Sequence, residues 1–284
     1  MQQPSAEMRD RLMDWSVLPT GPVQVTATSE LMAGSRDGRP VMLKIARVEE
    51  EARGGALLAW WHGRGAVAVL EHDDRAILME RAVDGRNLTR MAATGQDAAA
   101  TEILVRTALT LHENPVPAER DGVPLVPLQH WFRELLHDED GRDPLLRRAA
   151  DLARRRLATT DAVDVVVLHG DIHHGNVLDL GQPDGGRWAA IDPKGLIGHR
   201  VFDFVNICCN PDEASAVVNL ETRLAAIGRL AGLAPDVLID WTIAWCGLSL
   251  VWESDRNSPS WHARTARAVM ERLLGGTTGR AVEG

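Results

Sequence analysis

Asp171, Asn176 and Asp192 are oxygen-bearing side chains whose spacing suits phosphoryl transfer. An apolar run, Val165 to Leu168, stops at His169; Asp171 follows, and Asn176 lies five positions beyond it. A second apolar stretch, Trp188 to Ile191, stops at Asp192. The layout is H-x-D-x-x-x-x-N with a later carboxylate at a strand end. One carboxylate must accept the proton of an attacking hydroxyl, and Asp171 fits that role. Two oxygen ligands must hold magnesium against nucleotide phosphates. Asn176 offers a neutral carbonyl oxygen for this, and Asp192 offers a carboxylate.

Lys44 lies in Val41-Met42-Leu43-Lys44-Ile45-Ala46. An ammonium among apolar neighbours is costly unless it finds partners. Nucleotide phosphates and a carboxylate of the next helix would supply them. Glu51 is the preferred carboxylate, with Glu49 and Glu50 as alternatives; the bland reading is an edge-strand lysine facing water. No Gly-rich phosphate loop precedes this strand. Thr26-Ala27-Thr28-Ser29-Glu30 stands in its place, and Thr28 and Ser29 are the candidate phosphate contacts. His169 is expected to brace the loop by hydrogen bonding, and His173 and His174 read as loop residues. Asp203, in Val-Phe-Asp-Phe-Val, should brace the catalytic loop through backbone N–H groups. Lys194, two residues past Asp192, reads as a phosphate contact or a solvated loop lysine.

The elements that must position these residues follow from periodicity. Strands are expected at 23–26, 31–35, 40–46, 66–70 and 76–79, with Asp37-Gly38 as a hairpin turn. Helices are expected at 49–61, 96–112, 128–136, 143–157, 213–233, 235–252 and 260–274. Residues 165–192 should form a strand, a loop and a hairpin turning at Pro183-Asp184-Gly185-Gly186. The predicted fold class is α+β and bilobal, protein-kinase-like. A small β-rich nucleotide-binding lobe spans 1–82, and a larger, mainly helical catalytic and substrate lobe spans 83–284.

Composition narrows the function classes. The net charge of −9 argues against a nucleic-acid surface and suits a cationic small substrate. Trp occurs nine times, Phe three times and Tyr not at all. Cys208, Cys209 and Cys246 are odd in number and two are adjacent, so buried apolar thiols are expected rather than disulfides. The apolar stretch Trp241 to Trp252 is shorter than the ~20 residues a membrane span needs. Met1 to Asp10 lacks the pattern of a signal peptide. A cytoplasmic monomer with no membrane partner is the expectation.

The chain resembles the aminoglycoside phosphotransferases, and within them the aminoglycoside/hydroxyurea resistance kinases. The carriers are Met42-Leu43-Lys44-Ile45-Ala46, Leu58 to Ala66, Leu78 to Ala82, Leu168 to Leu178, Ala190 to Pro193 with Gly195 to Gly198, Phe202-Asp203-Phe204 and Asn210-Pro211-Asp212. The resemblance spans roughly residues 15–275. It implies transfer of the γ-phosphoryl of ATP, with Mg2+, to an aminoglycoside hydroxyl, streptomycin at its 6-position being the expected acceptor. It also implies adenine binding near Glu80 to Ala82. Gly170 stands where protein kinases carry an arginine. Guanidinium groups of such a substrate need carboxylates, for which Glu253 and Asp255 are candidates beside Trp252. Trp241 and Trp245 read as core. The rivals are a kinase for hydroxyurea, a sugar or another small molecule, and a binuclear metal hydrolase built on His169-x-Asp171-x-His173-His174.

Overall fold

The computed structural model describes residues 3–82, 85–118, 121–137, 143–181, 187–253 and 259–278. The N-terminal part is an antiparallel sheet. Its strands are β1 (Leu18–Pro19), β2 (Gln24–Val25), β3 (Ser29–Arg36), β4 (Arg39–Ala46), β5 (Val69–His72) and β6 (Ala76–Glu80). They run in the order β1-β3-β4-β6-β5, with β2 also paired to β3. β4 is therefore an interior strand, and Lys44 sits between Leu31 and Ile77. The edge-strand reading of Lys44 falls with that register.

Several elements were not foreseen, among them a helix before the strands and the segments 88–93, 196–199 and 202–205. Helix α1 (Ala6–Asp14) precedes the strands, capped by Ser5, whose hydroxyl accepts from the Met8 N–H. Met8 and Leu12, one helical turn apart, close a small core over Met32, Val41, Leu43, Ile45 and Leu78. Helix α2 (Glu49–Trp61) covers the other side and opens with Glu49, Glu50 and Glu51, which favour the positive end of the helix dipole.

The C-terminal part carries α3 (Leu88–Ala93), α4 (Asp97–His112), strand β7 (Val126–Pro127) and the short helices α5 (Leu128–Trp131) and α6 (Arg133–Leu136). The expected helix 128–136 is thus broken at Phe132. Next come α7 (Pro144–Ala158), β8 (Val165–Leu168), β9 (Val177–Asp179), β10 (Trp188–Ala190), β11 (Leu196–His199) and α8 (Phe202–Val205). A 3-10 turn, Asn206–Cys209, leads to α9 (Glu213–Ala231), α10 (Pro235–Trp252) and α11 (Trp261–Thr278). β9 and β10 form an antiparallel pair; their expected turn at 183–186 lies outside the described residues. β11 pairs with β8 and β7. The three cysteines are free and buried.

The larger core joins α2 to the C-terminal elements. Leu57, Leu58 and Trp61 of α2 pack in one cluster with Leu104, Leu168, Phe202 and Trp241. α2 is therefore a shared wall of both lobes. Among the described residues, no helix is long and apolar enough to cross a membrane.

Candidate active site

β8 ends at the proposed catalytic turn. The His169 ring is fully buried and stacks on Trp61 with centroids 6.3 Å apart. Its Nε2 lies 2.7 Å from the Ile191 carbonyl oxygen, and its Nδ1 accepts from the Asp171 N–H at 3.2 Å. That assigns the proton to Nε2. Burial pushes the imidazole below its ordinary range, so the ring is a neutral brace. Gly170 has φ +84°, and a Cβ there would meet Leu196 Cδ1 at 2.8 Å, which leaves no room for a side chain. Asp203 is fully buried; it accepts from the N–H groups of His169 (2.9 Å) and Gly170 (2.6 Å) and contacts His112 Nε2 at 2.9 Å.

The Asp171 carboxylate faces the cleft, held by amides. Asn206 Nδ2 donates to one oxygen at 2.7 Å, and Asn176 Nδ2 donates to the other at 3.2 Å and to the Asp171 carbonyl at 3.0 Å. Asn210 Nδ2 donates in turn to Asn206 Oδ1 at 2.8 Å. Arg223, from α9, fixes this turn. It is buried, forms a two-pronged pair with Asp97 of α4, and donates to the carbonyls of Ile207 and Asn210.

Lys44 pairs with Glu51 and lies 2.7 Å from an Asp192 oxygen. The carboxylate partner is thus Glu51; Glu50 instead pairs with Lys194 at 2.9 Å. α2 comes very close to the segment after Asp192. A Cβ at Gly54 would collide with the Pro193 carbonyl oxygen, so only glycine permits this approach. Asp192 has φ +58°, a conformation non-glycine residues seldom adopt. Backbone bonds hold it there: Ile191 N–H to the Asn176 carbonyl at 2.9 Å, and Lys194 N–H to the His169 carbonyl at 2.7 Å.

These residues fit a divalent cation. The Asn176 amide nitrogen is engaged by Asp171, which leaves its oxygen as the face for a cation, and the Asp192 side chain is partly exposed. The binuclear hydrolase arrangement does not form. His169 points into the core, His174 is buried with desolvation lowering it to about 3, and the described residues hold no cluster of three His, Cys, Asp or Glu suited to a metal. Thr28 Oγ1 donates to Glu51 at 2.9 Å, whereas Ser29 is buried with its hydroxyl shared with Thr26. Glu80 accepts from the Ala68 N–H at 2.6 Å and pairs with Arg187, so its side chain is engaged within the protein. Ala82 follows β6, partly exposed.

Two hollows flank Asp171. One, about 350 Å³, is lined by Glu50, Trp131, Arg133, Glu134, Lys194 and Trp252. The other, about 260 Å³, includes Asp171, His173, Asn206, Trp245, Trp252 and Glu253. Trp252 is the wall between them and meets Trp131 edge-on at 5.5 Å. Trp241 is buried, as is Trp245 but for a rim. Asp255 lies outside the described residues.

The family model for aminoglycoside/hydroxyurea antibiotic resistance kinases matches residues 14–257. The chain belongs to this family. It is 42% identical over 247 residues to the streptomycin 3''-kinase of Klebsiella pneumoniae, covering 84% of this chain and 89% of that protein. It is 32% identical over 179 residues to the streptomycin 6-kinase of Streptomyces glaucescens, covering 59% of this chain and 54% of that protein. Among solved structures, a choline/ethanolamine kinase family protein from Mesorhizobium loti superposes with TM-score 0.66 at 15% identity, over 94% of each chain. The fold is protein-kinase-like and the protein is a small-molecule phosphotransferase. Side chains scattered in sequence meet at the cleft. Asn206, Arg223 and Trp131 were not foreseen. An Asn or Arg in a helical stretch carries no local sign of a partner that lies dozens of residues away.

Proposed function

We propose that this kinase transfers the γ-phosphoryl of ATP to a hydroxyl of a streptomycin-class aminoglycoside. The carrying observation is the Asp171 carboxylate, fixed by Asn206 and Asn176 beside the linked Lys44, Glu51 and Asp192. The acceptor oxygen forms the new bond to phosphorus while the bond to the β-phosphate oxygen breaks and ADP departs. The hydroxyl proton passes to Asp171. Lys44, oriented by Glu51, holds the phosphates, with Thr28 beside them and Ser29 buried against Thr26 rather than facing them; the backbone of 80–82 receives the adenine. Asn176 and Asp192 would hold Mg2+, which supplies neutralisation of phosphate charge when bound. ATP use is supported by an aminoglycoside phosphotransferase of this fold, solved with AMP-PNP and hygromycin B (TM-score 0.64, 14% identity, 97% and 100% coverage).

Trp252 and Glu253, which line the hollow that holds Asp171, suit a guanidinium-bearing acceptor. For the position phosphorylated, the fuller and higher identity to the 3''-kinase favours that hydroxyl over the 6-position implied by the resemblance. The test is γ-labelled ATP with streptomycin, hydroxyurea, spectinomycin and hygromycin B, and Asp171→Asn as control. Strong labelling of streptomycin alone, with phosphorus–proton NMR placing phosphate at the 3''-oxygen, is expected. Labelling of hydroxyurea above streptomycin overturns the substrate, and phosphate at the 6-oxygen overturns the position.

A further inference from the structure

The first turn of α2 reaches the site twice. Glu51 pairs with Lys44, which touches Asp192. The residue before it, Glu50, pairs with Lys194 at 2.9 Å, and the Lys194 ammonium lies 4.0 Å from Asp171 Oδ2. The two relays run side by side, each from a glutamate through a lysine to one of the two cleft aspartates. The proposed function gives the second relay no work.

Lys194 is not a loosely tethered surface lysine, whose ion pair would contribute little. Its side chain is 24% exposed. Its backbone is fixed at both ends: the N–H donates to the His169 carbonyl at 2.7 Å, and the carbonyl accepts from Arg53 Nε at 3.0 Å. The turn that presents Asp171 therefore also places the lysine stem. Around Asp171, the other groups are the amides of Asn206 and Asn176 and the ring of His173, whose Nε2 is 3.9 Å from Oδ1. The amides hold one carboxylate oxygen each by hydrogen bonds. At 4.0 Å the Lys194 ammonium makes no hydrogen bond to the carboxylate, but its charge attracts Oδ2 from a side the amides do not occupy.

We propose that Lys194 is a positioning residue for phosphoryl transfer: anchored on Glu50 of α2, its ammonium holds the Asp171 carboxylate in the orientation that receives the acceptor hydroxyl. The inference rests on Asp171 being the proton acceptor. It ties the base to the same helix turn that orients Lys44, so one turn of α2 registers both halves of the reaction.

The test is steady-state kinetics and thermal melting of Lys194→Met, Lys194→Arg and Glu50→Gln in the full-length enzyme, with ATP and streptomycin varied in turn. Misplacing a reacting group by about an ångström costs on the order of 100-fold, so Lys194→Met should lower kcat by roughly 10- to 100-fold. Both KM values should stay within about threefold, since ground-state binding is not its task. Lys194→Arg should recover most of kcat, and Glu50→Gln should show a smaller loss of the same kind. In the Asp171→Asn background, Lys194→Met should cost nothing further, because it acts through that carboxylate. A full additional loss in that background overturns the inference, as does a raised acceptor KM at unchanged kcat or a failure of arginine to rescue. Wild-type turnover by Asp171→Asn would instead overturn the base assignment itself. A dead Asp171→Asn beside a fully active Lys194→Met removes this inference alone.

Discussion

Replacing Asp203 by alanine should unfasten the catalytic turn. Its carboxylate is fully buried and serves three donors: the N–H groups of His169 and Gly170 and His112 Nε2. Truncation leaves all three without a partner in a dry environment. An orphaned buried donor costs roughly 1–3 kcal/mol; with partial relaxation the three put the loss at about 3–6 kcal/mol. That is a large fraction of the ~5–15 kcal/mol by which a protein is ordinarily stable. At roughly 2 °C per kcal/mol for a chain of this size, the melting point should fall by about 6–12 °C. Asp203→Asn should lose less, because one oxygen still accepts. Activity should drop more steeply than stability alone dictates, since Asp171 is two residues from His169. The assays are urea unfolding and kcat measured well below the melting point. A stability loss under about 1 kcal/mol for the alanine variant would refute the reasoning, for then the carboxylate is not what satisfies the turn.

Arg223→Met should cost about 3–5 kcal/mol, because it strands the Asp97 carboxylate in the core, and the double variant Arg223→Met with Asp97→Leu should regain much of that; urea midpoints of both decide it. Turnover should also fall, as the turn carrying Asn206 loses its anchor. Acid should destabilise the fold from below about pH 6.5. Desolvation lowers His169 and His199 from the ordinary imidazole value, so the unfolded chain protonates first and binds more protons as pH falls. Denaturation midpoints between about pH 8 and pH 5 measure this, and a midpoint that rises on acidification refutes it.

Much of the site was legible because its chemistry is local in sequence. His169, Asp171 and Asn176 share one turn, and Asp192 closes a nearby strand. Lys44 and Glu51 were legible because a buried ammonium must be paired and the next helix starts within reach. Asp203 stood out as a carboxylate among large apolar groups. Helix α1 was overlooked because it is short and offers only Met8 and Leu12 to the core, although Ser5 followed by Glu7 is a capping signal. The break at Phe132 was hidden by apolar spacing that continues through it. Asn206, Arg223 and the Glu50–Lys194 pair were illegible for a different reason. Their partners are fixed only once α4, α9 and α2 have packed, and each of these residues taken alone reads as an ordinary surface polar group.

The packing of α2 bears on how such enzymes can be recombined. A splice after residue 82 would carry Leu57, Leu58 and Trp61 away from the interior they fill. A chimera mixing the nucleotide preference of one kinase with the acceptor range of another would then join mismatched surfaces. An exchange that respects the packing keeps α2 from the same parent as the C-terminal interior it fills and as the strand whose Lys44 pairs with Glu51.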